Sequence, residues 1–279
     1  MSKKVAVLFS SGLDSTYLVW KNLKEGNVVT PVYFEINNNE NKTIMEKNRI
    51  ELLIKEFNND TELKSKINDI KYAINVGVQV YNDKLFFKQI PIWLLGLVYI
   101  QGLDVDEIQI GYVCNDDAIP YLNDIKKIYK TYQSISEKLL PLNFPLIKYK
   151  KWQIIRELPS QYKKLIFTCE NPRIDESTKE DTIIQYTPCC NCVPCKSIIS
   201  SNYYETGEFP EIYKENMIRD KIHEVNKLGY KVVDKEGNDY WEQYRKAEEP
   251  ISDFINRESD RISISLENNH VVVGSENFI

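Results

Sequence analysis

The chain is expected to fold as an α/β domain on a parallel sheet, and three observations predict it. Short apolar runs alternate with helical patterns through roughly the first 150 residues. The first run, Val5, Ala6, Val7, Leu8 and Phe9, breaks into a small-residue loop, Ser10-Ser11-Gly12-Leu13-Asp14-Ser15, that opens a helical pattern. Five of the six cysteines crowd into residues 169–195, a separate segment rich in Pro and charge and poor in periodicity.

Taken in order, strands are expected at residues 5–9, 28–34, 70–76 and 107–112, and helices at 15–23, 42–57, 93–102 and 125–139. Gly26-Asn27 stops the first helix and Asn37-Asn38-Asn39 caps the second. Parallel strands need such helical crossovers, and their ligands collect at the carboxyl ends, where the loop 10–15 falls. Beyond residue 200 come a helical stretch near 211–228, a hairpin turn at Lys235-Glu236-Gly237-Asn238 and an alternating run at 261–266. The organisation expected is a nucleotide-binding domain over 1–160, a metal-binding segment over 161–200 and an α+β extension over 201–279.

The 279 residues are 42% hydrophobic and 28% charged, a soluble globular balance that can bury a large core. No apolar stretch approaches ~20 residues and no secretory leader is read at the start, so no membrane partner and a cytoplasmic address are expected. Net charge is −5 with no basic tract, which argues against gripping duplex nucleic acid as the main work, although Lys148-Tyr149-Lys150-Lys151 is a local patch. The two histidines, His223 and His270, both lie in the extension, so histidine acid–base chemistry is not expected.

A buried strand ending in small residues at a helix N-terminus is an anion site, because backbone N–H groups and the helix dipole point at the ligand. Bulky side chains would hold a phosphate away. No Lys follows Gly12, so this is not the loop of classical nucleoside triphosphatases. An ordinary strand–turn–helix opening is the plain alternative. The cysteines follow a C-x₂-C-x₂-C spacing at Cys189, Cys192 and Cys195, with Cys169 upstream. Such spacing aims several thiolates at one tetrahedral centre, favouring structural Zn²⁺ over an iron–sulfur cluster or free thiols. Cys189 is preferred over adjacent Cys190 by register alone. Cys114, just past the fourth strand, reads as a small buried filler or a pocket residue.

The loop resembles the Ser-Gly-Gly-x-Asp-Ser signature of the PP-loop ATP pyrophosphatases, with Ser11 in place of the first Gly. Joined to the cysteine cluster, it is similar to the 7-cyano-7-deazaguanine synthase family, whose CGxCxxC group is answered by Cys189-Cys190-Asn191-Cys192-Val193-Pro194-Cys195, with Cys190 replacing the Gly. Residues 97–111 and 144–158 are similar to the family's segments before and after its substrate loop. Lys151 stands at the family's Lys position, and Lys88-Gln89 stands about where it has Arg-Asn. The resemblance covers roughly residues 4–200. It breaks at Asp116-Asp117-Ala118-Ile119-Pro120-Tyr121-Leu122, where the family carries Ser-Gly-Tyr-Pro-Asp-Cys-Arg.

The resemblance implies an ATP-dependent ligase that adenylates 7-carboxy-7-deazaguanine and forms a C–N bond, with ATP, Mg²⁺ and Zn²⁺ as cofactors. It assigns Ser10, Ser11, Gly12, Leu13, Asp14 and Ser15 to the nucleotide, Asp14 also to Mg²⁺ or to capping the helix. Lys88 and Lys151 fall to phosphate or carboxylate contact, and Asp116 to a substrate amine, a metal or a turn. Cys169, Cys189, Cys192 and Cys195 fall to zinc. The product implied is the amide or nitrile (7-cyano-7-deazaguanine) or, because the altered loop suggests a divergent, defence-associated paralogue, a conjugate to a protein amine, the acceptor being ammonia or that amine. A homodimer and an operon partner docked on the extension complete the expectation. A tRNA-modifying sulfurtransferase and a non-catalytic nucleotide-binding module are the rival readings.

Overall fold

The structure, a computed structural model, describes residues 2–37, 39–63, 66–77, 90–114, 116, 118–135, 140–206, 231–233, 262–267 and 270–274. The chain divides into two compact units, Met1–Gly207 and Glu208–Ile279.

In the first unit, five strands form a sheet in the order β3-β2-β1-β4-β5, every neighbouring pair parallel. They are β1 (Lys4–Leu8), β2 (Val28–Asn37), β3 (Lys71–Gly77), β4 (Glu107–Gln109) and β5 (Leu142–Asn143). The crossovers are α1 (Leu13–Lys24), α2 (Glu40–Asn59), α3 (Ile90–Ile100) and α4 (Leu122–Ile135). β1 is central, and Val5, Ala6 and Val7 are fully buried, which is why it reads as an unbroken apolar run instead of alternating. Phe34, Leu94, Leu97, Ile100, Ile108, Tyr129 and Phe144 join β2, α3, β4 and α4 in one core.

The helix ends follow their local chemistry. Asn39 Oδ1 accepts the Lys42 N–H at 3.1 Å and starts α2. α1 ends in a Schellman motif: Gly26, at φ +86°, donates to Leu23 O (3.1 Å) and Asn27 to Asn22 O (3.0 Å). The fourth strand is shorter than the apolar run suggests, and β5, only two residues long, lies below what residue periodicity resolves.

After the sheet come the short helices α5 (Lys151–Glu157) and α6 (Ser160–Lys163), the two-residue hairpin strands β6 (Arg173–Ile174) and β7 (Tyr186–Thr187), and α7 (Val193–Thr206). α5 packs on both α1 and α7. The second unit contains a three-stranded sheet of β8 (Lys231–Val233), β9 (Ile262–Glu267) and β10 (His270–Gly274), with β10 between the others. The alternating run expected at 261–266 is β9; the helical stretch at 211–228 and the turn at 235–238 lie outside the described residues.

Candidate active site and metal centre

The order of the parallel strands reverses at β1 and β4, so a crevice opens beyond their carboxyl ends. Residues 9–12 leave β1 into it, and Ile110-Gly111 leave β4 beside them. Gly111 allows the approach: a Cβ there would lie 3.1 Å from Asp14 C and O, inside the first turn of α1. Leu13 is buried and anchors that turn, so its side chain faces the core and only its backbone is offered to a ligand.

The loop is held by its own backbone. Ser11 adopts φ +60°, the conformation a glycine would favour, and is fully buried. Its hydroxyl donates to Ser10 O (2.5 Å) and its carbonyl accepts the Phe167 N–H (2.9 Å). Ser15 Oγ accepts from Ser10 N–H (3.4 Å) and donates to Gly12 O (3.2 Å). No side chain caps α1 at Gly12 among the described residues, so the helix presents open N–H groups and its positive dipole end. Gly12 is informative for a different reason. Its φ of −66° is ordinary, and a Cβ would meet nothing closer than 3.5 Å. Folding does not require glycine at this position.

Asp14 sits in the first turn of α1. Its Oδ2 pairs with Lys151 Nζ at 3.0 Å, both side chains 18% exposed, while its Oδ1 is buried with no hydrogen-bond partner among the described residues. Burial pushes the Asp14 carboxyl above its ordinary pKa, and the Lys151 ammonium opposes that shift. Lys151 starts α5, whose entry is fixed by Lys150 N–H donating to Gln153 Oε1 (2.8 Å). The fold therefore unites the loop with a lysine distant in sequence. Asp116 follows β4 and its Oδ1 accepts the Ala118 N–H (2.9 Å), an Asx turn that starts the 3₁₀ segment Ile119–Tyr121. Lys88 lies outside the described residues. A shallow depression lined by Lys4, Thr30, Asn68, Lys71 and Asp104 lies at the amino ends of β1–β3, the end of the sheet away from the loop.

The ligand atoms of Cys169, Cys189, Cys192 and Cys195 all lie within 4.8 Å of one another. Tetrahedral Zn²⁺ with bonds of about 2.3 Å places sulfurs about 3.8 Å apart, so the spacing and the all-sulfur donor set fit zinc. Backbone amides add to the fit: Cys189 N–H points at Cys169 Sγ (3.1 Å), Cys192 N–H at Cys189 Sγ (3.4 Å) and Glu170 N–H at Cys192 Sγ (3.5 Å). Such donors favour thiolates. Cys190 takes φ +56°, and its Sγ donates to Pro188 O at 3.7 Å; it is the turn residue of the cluster. Ser11 and Cys190 are the two non-glycine residues at positive φ among the described residues.

Residue pattern did not reveal what fastens this segment. α2 carries it: Lys42 Nζ pairs with Glu170 (2.5 Å), and Arg49, itself buried, donates to Ile184 O (2.8 Å) and lies 5.5 Å over the Tyr186 ring. Buried Phe167 is the second unforeseen participant, meeting the Tyr186 ring edge-on at 5.2 Å. A charged residue inside a helix and an aromatic two positions before a cysteine carry no signature of such roles.

Fold and site together define a parallel α/β domain with a small-residue loop opening a helix at its switch point and a four-cysteine cluster attached. No family model and no curated protein matches the chain. Among solved structures, a predicted subunit of tRNA methyltransferase from Methanocaldococcus jannaschii is similar at 12% identity and a TM-score of 0.32, over 55% of this chain and 73% of that one. A 4-thiouridine synthetase, solved in complex with RNA and with bound ATP, is similar at 16% identity and a TM-score of 0.41, over 77% of this chain and 53% of the other. The functional reading rests on the site itself. No helix among the described residues is long and apolar enough to cross a membrane.

Proposed function

We propose that the chain is a PP-loop ATP pyrophosphatase acting as a carbon–nitrogen ligase on a 7-deazaguanine carboxylate. The observation that carries the ATP half is Asp14: a mostly buried carboxylate, one oxygen paired to Lys151 and the other without a partner among the described residues, on the uncapped first turn of α1. A pyrophosphate seated on the N–H groups of residues 12–15 would place its charge beside that carboxylate. Asp14 would be the residue to hold Mg²⁺ there, and the ion would supply the charge neutralisation that lets pyrophosphate leave. The substrate half rests on the resemblance and on the four-cysteine geometry that accompanies it.

In this reading the substrate carboxylate attacks the α-phosphorus of ATP and pyrophosphate departs. An amine then attacks the acyl carbon, AMP leaves with the former carboxylate oxygen, and the amine proton passes to solvent. A nitrile needs a second adenylation, of the amide oxygen. Lys151 serves to hold the charge of Asp14 and of the bound phosphates; the backbone of 10–15 orients the leaving group. Asp116, whose carboxylate is engaged in a turn, shapes the loop beyond β4. The zinc centre would be structural, its four thiolates tying residue 169 to 189–195.

Incubation with ATP, Mg²⁺, 7-carboxy-7-deazaguanine and ammonium, followed by mass spectrometry, tests the substrate. The expected product is the amide, with the conjugate forming when a protein amine is supplied. Free 7-cyano-7-deazaguanine as the efficient product would restore plain nitrile synthesis. ATP cleavage without any acylated product would remove the deazaguanine from the account.

A further inference from the structure

We infer that Phe167 is a positioning residue that couples the four-cysteine centre to the nucleotide loop, so that metal occupancy and ATP binding reinforce each other; this rests on the proposed reading of both sites. Ser11 is held at φ +60°, a conformation that L-residues adopt at a cost. Such a residue stays there only if its surroundings over-determine it. Phe167 supplies part of that constraint, its N–H donating to Ser11 O at 2.9 Å and its carbonyl lying beside Gly12.

Phe167 is in turn placed by the metal segment. It stands two residues before Cys169, and its ring, 2% exposed, meets Tyr186 edge-on at 5.2 Å. Tyr186 stands three residues before Cys189 and is backed by Arg49. A metal joining Cys169 to Cys189, Cys192 and Cys195 therefore fixes the two strands of chain that carry the Phe167–Tyr186 pair. When the thiols are freed, those two strands of chain keep only the β6–β7 pairing and their ties to α2, and the constraint on Ser11 loosens. The loop then spends part of its time in conformations that do not bind phosphate. ATP, which selects the constrained loop, must favour the metal-bound cluster by the same factor.

The experiment is calorimetric titration of ATP into zinc-loaded and chelator-stripped protein, with zinc affinity measured with and without saturating ATP. The expectation is ATP binding about five- to 150-fold weaker without zinc, and zinc binding tightened by the same factor with ATP. In Phe167→Ala, zinc should still bind, but ATP should bind more weakly and the mutual factor should fall toward one. A general loss of fold would not produce that pattern. Should stripping unfold the chain, zinc-loaded Phe167→Ala decides alone: wild-type ATP affinity in it overturns the coupling. Equal ATP affinity in folded protein with and without zinc overturns it too, leaving the ATP site intact. Zinc-loaded wild-type protein that binds no ATP overturns the ATP reading, and the coupling with it.

Discussion

Asp14 and Lys151, 137 positions apart in the chain, face each other across 3.0 Å, and the aspartate's second oxygen is buried without a partner among the described residues. The pair joins the first turn of α1 to the first turn of α5. Lys151→Met would leave a carboxylate in low dielectric with no cation, at a cost on the order of 3 kcal/mol. Asp14→Asn in the same chain removes that charge, so the double variant should recover part of the loss. Chemical denaturation of the four proteins measures this, with an expected non-additivity of about 1–3 kcal/mol. Strict additivity would mean that the two side chains do not interact.

Gly12 separates folding from binding. Because a Cβ there touches nothing closer than 3.5 Å and the backbone is ordinary, Gly12→Ala should change stability by less than about 1 kcal/mol. Its methyl would stand where a phosphate must approach, and ATP should bind at least about tenfold more weakly, about 1.4 kcal/mol. Thermal melts and ATP titration of one preparation check both halves; a folded variant with unchanged ATP affinity would contradict the loop assignment.

The cysteine register is tested by content and not by activity. Wild-type protein should carry about one zinc per chain. Cys189→Ser should lose it and destabilise the segment 169–195, since metal binding energy there is folding energy. Cys190→Gly should keep it, because Cys190 occupies a φ of +56° that glycine adopts freely. Elemental analysis of the two variants reads the outcome; zinc lost from Cys190→Gly and kept in Cys189→Ser would reverse the register.

A buried acid gives the protein a pH signature. Glu46 lies on α2, accepting from Tyr33 OH (2.7 Å) with Lys42 Nζ at 3.9 Å, and burial pushes its carboxyl up to about 7. The folded form binds its proton more tightly than the unfolded chain does. Its contribution is therefore complete below pH 4.5 and is lost as pH rises to about 7. Glu46→Gln should flatten that part of the stability curve, by on the order of 3 kcal/mol between the two ends. Denaturation midpoints from pH 4 to 8 decide it, and parallel curves for variant and wild type would contradict the burial argument.

Much of the sheet was legible because its signals are local. An apolar run marks β1, Gly26 marks the end of α1, and Asn39 marks the start of α2. β5 escaped because two residues have no period, and its place is set by pairing with β4. At the site, the small residues of 10–15 and the cysteine spacing could be read because one short segment carries each pattern. Phe167, Arg49 and Lys42 could not, because their roles come from helix and strap meeting in space. Lys151 was reached only through resemblance. The positive φ of Ser11 and of Cys190 is a fact of structure that neither residue type announces.

In the proposed function, residues 10–15, with Asp14 and Lys151, grip ATP at its pyrophosphate end so that an oxygen nucleophile attacks the α-phosphorus. The direct measurement is the identity of the nucleotide product when the protein turns over ATP and Mg²⁺ with 7-carboxy-7-deazaguanine and an amine. AMP and pyrophosphate are expected in equal amounts, both abolished in Asp14→Asn and Gly12→Val. ADP and inorganic phosphate, or AMP formation indifferent to those two substitutions, would contradict it.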